Sequence, residues 1–450
     1  MVDSNDRFDP SRRDILRYSA IAGLAGLAGC STTDDGGDGG DGGDGGDGGD
    51  GGDGGDGGDT ATPGDGGDGD MEDGGDGGDA GPYTIGVLNS LTGSLDTFGQ
   101  RNERGMGLAL DDVNEVGVGG RELELEIQDT ESQEQSGVSA AQNLINQVGV
   151  PYIIGAVSSG VTLSVYESVV QESDVVQMSQ NSTGLGLTEL PGLLRVAPSG
   201  QTQAVALADI VAEDGYDQVA LTWVNNNFGQ SLADAFVESY EGEVVYQSAH
   251  NQEQQTYDNL VTEMNDSGAD AWVLISYQPE TTTIVNNAFE NGYDPQYYAG
   301  DSSRGDSVLE NTPEGSMAGM KLVEPSAPVE EDNYQEFVSK FQSEYDREPT
   351  TWAAFAYDAV VIAAISILAA DEFTGAALTD VVRDVTRPEG EQVTSFEAAA
   401  EILEDGGSAS DVDYQGVSGP IDLNENGDPA GFLQVFEVQD HSYVGVDFIS

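Results

Sequence analysis

Basic residues are scarce in this sequence, and cysteine is nearly absent. The 450 residues include 14 Lys and Arg against 83 Asp and Glu, which gives a formal net charge of −69. Lysine occurs only as Lys321 and Lys340. A chain this short of positive charge lacks the basic patches that phosphate contacts need, which excludes nucleic acid as a partner. The single cysteine, Cys30, excludes a disulfide framework.

The negative charge is spread along most of the chain. Residues 1–29 carry as many bases as acids, and residues 30–79 carry 17 acids and no base. The rest of the chain still holds 62 acids against 10 bases. Such a surface repels itself at ordinary ionic strength, whereas at molar salt the Debye length is about 3 Å and screens the repulsion. We therefore predict a protein from a high-salt organism; an ordinary acidic secreted protein is the alternative.

Motifs for enzyme chemistry are also missing. The two histidines, His250 and His441, lie outside any motif, and there is no Gly-x-Ser-x-Gly, Walker loop, His-Glu-x-x-His or redox cysteine. Residues 422–428 imitate the start of a calcium loop, but Pro429 and Leu433 occupy its eighth and twelfth positions. We expect a turn between strands there, and neither an enzyme nor a cofactor or metal site.

The first thirty residues have the plan of an export signal. Arg12 and Arg13 precede an uncharged run over residues 18–29, which ends in Leu-Ala-Gly before Cys30. The run is too short to span a bilayer, which takes about 20 residues. The paired arginines resemble a twin-arginine signal, and the end of the run resembles a lipobox, in which the cysteine receives lipid. We expect residues 1–29 to be removed and Cys30 to anchor the protein to the outer face of the cytoplasmic membrane.

Residues 30–81 are predicted to form a disordered tether. Eight Gly-Gly-Asp triplets fill residues 36–59, and a looser version continues to residue 79. Almost no apolar side chains are present to offset the entropy of ordering. A calcium-binding repeat would need an apolar residue in each unit, and these triplets have none.

From residue 83 onward, short apolar runs alternate with segments of helical spacing. Residues 83–179 read as strand–helix–strand repeats, and a second such series follows an extended passage at residues 193–199. This alternation predicts parallel sheets covered by helices on both faces. Residues 319–325 are predicted to be an extended crossing, residues 351–370 a buried core helix, and residues 432–448 a hairpin.

The folded part resembles the leucine/isoleucine/valine-binding protein family, which has the type I periplasmic-binding-protein fold. The resemblance rests on the order and spacing of short motifs: Ile85-Gly86-Val87-Leu88, Phe98-Gly99, Gly105-Met106, Ile153-Ile154-Gly155-Ala156-Val157-Ser158-Ser159, Asn227-Phe228-Gly229, Ala356-Tyr357-Asp358-Ala359-Val360 and Val417-Ser418-Gly419-Pro420.

The resemblance implies an α/β fold of two doubly wound Rossmann-like lobes, joined by three hinge crossings, with a ligand cleft between them. We expect lobe I to contain residues 83–198 and about 327–417, and lobe II residues 199–326 and about 418–450. It also implies an extracytoplasmic component of an ABC importer that binds an amino acid, most plausibly branched-chain, as a monomer and delivers it to a membrane permease.

Eight side chains are expected to meet the solute. Ser158 and Ser159 end a strand and open a helix, where free N–H groups and the positive helix end favour a carboxylate. The resemblance implies the other ligand-binding residues: Ser182, Thr183, Phe98, Phe228, Tyr277 and Asp301. Asp301 would pair with an ammonium group in a closed cleft. It directly follows Gly300, whereas the family pattern has one residue between glycine and acid, so a solvated loop is its alternative.

Two functional alternatives stay open at this point. The same lobes could present a bound solute to a chemotaxis or signalling receptor, and the solute could be an amide or urea. Asn181 and Asn265 both begin glycosylation sequons.

Overall fold

Two sheets organise the part of the chain that the structure, a computed structural model, describes: residues 81–449 and the backbone of residues 16–18. The strands of the first sheet are, in spatial order, β1 (Leu16–Tyr18), β3 (Leu123–Asp129), β2 (Tyr83–Asn89), β4 (Tyr152–Gly155), β5 (Val176–Ser179) and β6 (Leu193–Arg195). All of them pair in parallel. The strand β1 falls in the predicted export signal; Arg12, Arg13, Cys30 and the predicted tether lie outside the described residues.

The second sheet repeats this order. Its strands are β16 (Ser442–Ile449), β15 (Phe432–Gln439), β11 (Lys321–Ser326), β10 (Gln296–Gly300), β9 (Ala271–Ile275), β7 (Gln218–Val224) and β8 (Glu243–His250). From β8 to β11 the pairing is parallel, and the hairpin β15–β16 adds two antiparallel strands at the β11 edge. A small third sheet joins β12 (Glu391–Val393), β13 (Val412–Gly416) and β14 (Gly419–Pro420).

Helices cover both faces of both large sheets. Lobe I carries α1 (Asp96–Val116), α2 (Glu134–Asn143), α3 (Ser159–Val165), α9 (Asp332–Tyr345), α10 (Thr351–Ala369), α11 (Gly375–Val381) and α12 (Phe396–Glu404). Lobe II carries α4 (Gly200–Glu213), α5 (Asn227–Ser239), α6 (Asp258–Asp266), α7 (Gln278–Glu290) and α8 (Asp306–Glu310). Each sheet has one apolar cluster on each face, so each lobe is a three-layer α/β sandwich.

The helix α10 is the most apolar helix of the described part and is long enough to cross a membrane, but 89% of its apolar window is buried inside the protein. It packs against α1, α9 and α12 in the core of lobe I, as the sequence predicted. Asp358 in this helix is fully buried. Its carboxylate accepts hydrogen bonds from the backbone N–H groups of Val417 (2.9 Å) and Ser418 (2.8 Å), and from the hydroxyls of Tyr414 (2.8 Å) and Ser418. This carboxylate therefore attaches the core helix to the start of the last passage between the lobes.

The chain passes between the two large sheets three times. It leaves the first sheet after β6, returns after β11, and leaves again between β14 and β15. The prediction for residues 319–325 was wrong in kind: most of them form β11, because Leu322 and Val323 are fully buried between β10 and β15. The crossing itself follows β11.

Candidate functional site

A cavity lies where the carboxyl ends of the strands of the two sheets face each other. In each sheet the first strand of its lobe, β2 or β7, has a neighbour on either side that continues the chain in the opposite direction across the sheet. Open α/β sheets bind ligands at this switch point. Twelve residues line the cavity, which encloses about 340 Å³: Leu95, Phe98, Val157, Ser158, Ser159, Asn181, Thr183, Phe228, Tyr277, Asp301, Ser302 and Trp352.

Seven of the eight side chains predicted to meet the solute are among these twelve. The exception is Ser182, whose hydroxyl is buried behind the cavity. It hydrogen-bonds the Thr162 hydroxyl (2.7 Å) and approaches the carbonyl oxygens of Ala156 and Val157 (both 3.3 Å). Ser182 therefore connects the loop after β5 to the loop after β4, which places it behind the lining residues.

The lobe I side of the cavity is rich in hydroxyl groups. Ser158 precedes α3 and Ser159 is its first residue, so this loop lies at a helix start. The Ser159 hydroxyl accepts a hydrogen bond from the backbone N–H of Gly184 (3.1 Å), which holds the loop after β5 against α3. Thr183 lies in that loop, and its carbonyl oxygen accepts from the N–H of Gly200 at the start of α4 (2.8 Å). The two hydroxyl-bearing loops are thus fixed to each other and to lobe II.

Asn181 also lines the cavity, although the sequence analysis did not select it as a binding residue. It is buried, and its Oδ1 accepts a hydrogen bond from Asn102 Nδ2 (2.7 Å). Its Nδ2 has no partner among the described residues, which leaves a buried donor available beside the cavity. Burial also leaves no room for a glycan on Asn181 in the folded chain, whereas Asn265 is exposed at the end of α6.

Aromatic side chains from both lobes close the apolar part of the cavity. From lobe II, Phe228 and Tyr277 stack with ring centroids 5.5 Å apart and planes at 15°. From lobe I, Phe98 meets Trp352 edge-on at 6.3 Å. Tyr277 also accepts a hydrogen bond from Asn226 (3.0 Å), and burial raises its pKa to about 12. The sequence gave no signal for Trp352, because it begins a core helix far along the chain.

Asp301 is the only acid that lines the cavity. It opens the short turn after β10 and is 4% exposed, so the alternative of a solvated loop is excluded. Gln203 donates a hydrogen bond from Nε2 to Asp301 Oδ1 (2.5 Å). Burial raises the pKa of Asp301 to about 6, although the Gln203 hydrogen bond and the charge of Arg101 act in the opposite direction. This carboxylate therefore has an unmet demand for a positive partner.

A buried ion pair supports the loop that carries Thr183. The Arg195 Nη1 donates to the carbonyl oxygens of Gly184 (2.9 Å) and Ser182 (3.4 Å), on either side of Thr183. The same guanidinium binds the carboxylate of Asp428, with Nη2–Oδ1 at 2.6 Å. Asp428 belongs to the segment that resembled a calcium loop, which forms a turn around Asn424. Sequence reasoning treated this segment as a turn and missed its partner, because the two residues are 233 positions apart.

His250 takes part in a structural network beneath the cavity. Its Nδ1 lies 2.8 Å from the Thr222 hydroxyl and its Nε2 lies 3.2 Å from the Ser276 hydroxyl. Burial lowers its pKa to about 4, so the ring is neutral at physiological pH. With both ring nitrogens engaged, His250 fixes the loop that leads to Tyr277.

Two doubly wound lobes with an enclosed cavity at the facing ends of their strands define a solute-binding protein. The sequence profile of the family described as periplasmic binding protein matches residues 82–438, and the chain belongs to this family. Its members are solute-binding proteins, so the chain is not an enzyme.

Among curated relatives, the Leu/Ile/Val-binding protein homolog 3 of Brucella melitensis is 29% identical over 217 residues, which cover 46% of this chain and 58% of the relative. The chain thus spans little more than half the length of this relative.

Two solved structures are similar over most of the chain. The leucine-binding protein of Thermotoga maritima has a TM-score of 0.71 at 22% identity, covering 82% of this chain and 98% of that one. The branched-chain amino acid transporter substrate-binding protein of Streptococcus pneumoniae, in complex with isoleucine, has a TM-score of 0.70 at 22% identity, covering 82% and 99%. At these identities the likeness shows the fold.

Proposed function

We propose that this protein is the extracytoplasmic solute-binding component of an ABC importer and binds a free amino acid of the branched-chain type between its lobes. The observation that carries this proposal is the composition of the cavity wall. Hydroxyl groups at a helix start lie on the lobe I side, a buried carboxylate lies on the lobe II side, and apolar side chains lie between them.

This arrangement matches the two charged ends of an amino acid. Ser158, Ser159 and Thr183 offer hydroxyls, and the start of α3 offers unpaired N–H groups, so together they would hold a carboxylate without an arginine. Asp301 would accept the ammonium group from the opposite lobe. A charge-assisted hydrogen bond is strong in a buried cavity, because the local dielectric constant is low.

The solute side chain would lie among the apolar residues. Leu95 and Val157 of lobe I and the stacked pair Phe228–Tyr277 of lobe II provide surface that favours an aliphatic or aromatic side chain over a sugar. The isoleucine complex of the Streptococcus pneumoniae protein supports the aliphatic choice.

The binding mechanism would be closure of the lobes on the solute. Lobe I is residues 83–198 and about 327–417, and lobe II is residues 199–326 and about 418–450. A solute that contacts both lobes gains those contacts only in the closed arrangement, so it shifts the population toward that arrangement. The permease would then recognise the closed form.

The place of action follows from the N-terminal segment. The twin arginines Arg12 and Arg13 would direct export, and lipid on Cys30 would hold a monomer at the cell surface by the acidic tether. The acid-rich composition fits a high-salt environment, where the surface charge is screened.

Calorimetry in molar potassium chloride tests the proposal. L-leucine, L-isoleucine, L-valine and L-phenylalanine are titrated into the mature protein, with acetamide and urea as neutral solutes and D-leucine as a stereochemical control. We expect one binding site for an L-amino acid and none for the neutral amides. Binding of an amide alone would overturn the amino-acid assignment, and heat from none of them would overturn the ligand class.

A further inference from the structure

Positive charge is concentrated at one place on this acidic protein. Beyond residue 80 the chain has only ten basic side chains. Four of these form ion pairs with carboxylates in the described part of the chain: Arg195, Arg304, Lys321 and Lys340. Three others, Arg101, Arg104 and Arg347, line a single groove. In a chain with six times as many acids as bases in this region, such clustering marks a local reversal of the electrostatic field.

The groove is separate from the cavity already described. It encloses about 990 Å³, and none of its lining residues lines the cavity. Arg101 and Arg104 come from α1, and Arg347 comes from the loop between α9 and α10. Gln278 and Ser307 of lobe II complete the wall, so residues of both lobes line the groove.

The chemistry of the wall suits an anion. Guanidinium groups bind carboxylate and phosphate oxygens in pairs, which gives directional as well as charge recognition. Two acids also line the groove, Asp306 and Glu348, and Glu348 already accepts a hydrogen bond from Gln342 Nε2 (2.5 Å). The guanidinium of Arg101 lies 5.0 Å from the ring centroid of Phe98, which fixes one end of the cluster. The remaining lining is largely neutral and able to hydrogen-bond, as with Gln100 and Thr97.

We propose that this groove is a second binding site, which takes a small anion carrying two or more carboxylate or phosphate groups. A multivalent anion can engage several guanidinium groups at once, which a chloride ion cannot, so it can compete in molar salt. Because both lobes line the groove, an anion bound there would favour the arrangement of the lobes seen in this structure. This inference does not depend on the identity of the solute in the cavity.

Calorimetry with citrate and with pyrophosphate distinguishes the two sources of the anionic groups. The full mature chain is titrated at constant potassium chloride, and the double variant Arg104→Gln/Arg347→Gln is compared with Lys340→Gln/Arg387→Gln. The control removes the same charge at sites outside the groove. We expect one site in the wild type, a loss of roughly tenfold or more in the groove variant, and a change of no more than about twofold in the control, since its charges lie elsewhere.

Three results would overturn the inference. Neither probe binding to the wild type would remove the site, and equal losses in both double variants would make the binding non-specific. Displacement of the probe by L-leucine would place the anion in the cavity. Hexaglutamate is added as a further arm: if it binds while both small anions fail, the groove is a protein-docking surface. Failure of L-leucine to bind would count against the proposed function but not against this site.

Discussion

Arg195 and Asp428 form an ion pair that is sealed inside the protein, at the point where two of the three crossings between the lobes meet. Asp428 Oδ1 accepts from Arg195 Nε at 2.7 Å, and Thr188 donates to Asp428 Oδ2 at 2.7 Å. Burial lowers the pKa of Arg195 and the charge of Asp428 raises it, so each ion depends on the other to remain charged. The pair joins the end of β6, the loop that carries Thr183, and the final crossing.

Breaking this pair should destabilise the fold strongly. Asp428→Asn leaves the guanidinium buried without its counter-charge, which we expect to lower the free energy of unfolding by roughly 3–5 kcal/mol. The double variant Arg195→Met/Asp428→Leu removes both charges and should cost less than the single variant. Chemical denaturation in molar salt measures both. A single variant within about 1 kcal/mol of wild type, a cost typical of exposed pairs, would show that the pair contributes little.

Asp301→Asn should weaken amino-acid binding while the fold survives. The variant keeps the shape of the side chain and removes the charge, so we expect a loss of roughly 2–5 kcal/mol in binding free energy. Calorimetry with the amino acid that binds best provides the measurement. Asp209→Asn, an exposed acid on α4 of the same lobe, is the matched control and should bind like wild type.

The same carboxylate predicts how binding depends on pH. Because burial raises the pKa of Asp301 to about 6, the empty site takes up a proton as the pH falls below that value. An ammonium group needs the ionised form, so affinity should fall by up to about tenfold per pH unit below the pKa. Asp301→Asn should abolish this dependence. A wild-type affinity that is constant between pH 7 and pH 5, to order of magnitude, would separate Asp301 from the ammonium site.

Stability should fall as pH rises through the range in which Glu324 ionises. Burial raises the pKa of Glu324 to about 7, although Arg304 lies 3.3 Å away and acts in the opposite direction. The folded state therefore holds a proton that the unfolded state has released. Its stabilising contribution is complete below the ordinary pKa of a glutamate and is lost as pH rises through about 7.

Melting temperatures across this range check the effect of Glu324. Glu324→Gln should flatten the decline in melting temperature between about pH 5 and pH 8, whereas Glu310→Gln, an exposed acid on α8, should leave the slope unchanged. The same slope in both variants would mean that other carboxylates, such as the buried Asp358, set the dependence.

The close contact between α1 and α10 should be intolerant of a single methyl group. A Cβ on Gly105 would lie 2.1 Å from the carbonyl oxygen of Ala353, and backbone cannot yield to it cheaply. We expect Gly105→Ala to lower the free energy of unfolding by about 1–3 kcal/mol, the usual cost of overpacking. A Cβ on Gly107 would instead lie 3.2 Å from the Tyr345 hydroxyl, which can rotate away. Gly107→Ala should therefore stay within about 1 kcal/mol of wild type, since alanine also favours helix; equal costs at both positions would contradict this.

Much of this molecule is readable from periodicity alone. Alternation of strand and helix patterns predicted both sheets, the buried helix α10 and the hairpin β15–β16, because each element buries a face with its own repeat. Residues 371–420 lack such a strong pattern, and their short elements α11, α12 and β12 to β14 were not predicted. They form because they cover the helical face of lobe I, which is a tertiary cause that local pattern does not record.

For the site, the sequence located the loops better than the contacts. Residues that directly follow strands, such as Ser159 and Asp301, were found because parallel strands deliver their ends to one edge. Trp352, Asn181 and Gln203 were missed, since they reach the site from helices or from the far side of a loop. Arg195 could have been found as a lone cation within an apolar strand, which needs a buried counter-charge.

The three crossings interleave the lobes along the chain, and this sets the order in which the protein can be made. The first sheet is complete at β6, but its apolar cover α10 is synthesised only after most of lobe II, and lobe II lacks β15 and β16 until the ribosome reaches residues 432–449. A nascent chain therefore exposes unfinished cores in both lobes for most of its synthesis. Contacts this distant in sequence form slowly, and unpaired apolar surface invites aggregation in the meantime. We infer that folding is post-translational and that the emerging chain depends on chaperones before it can leave the cell.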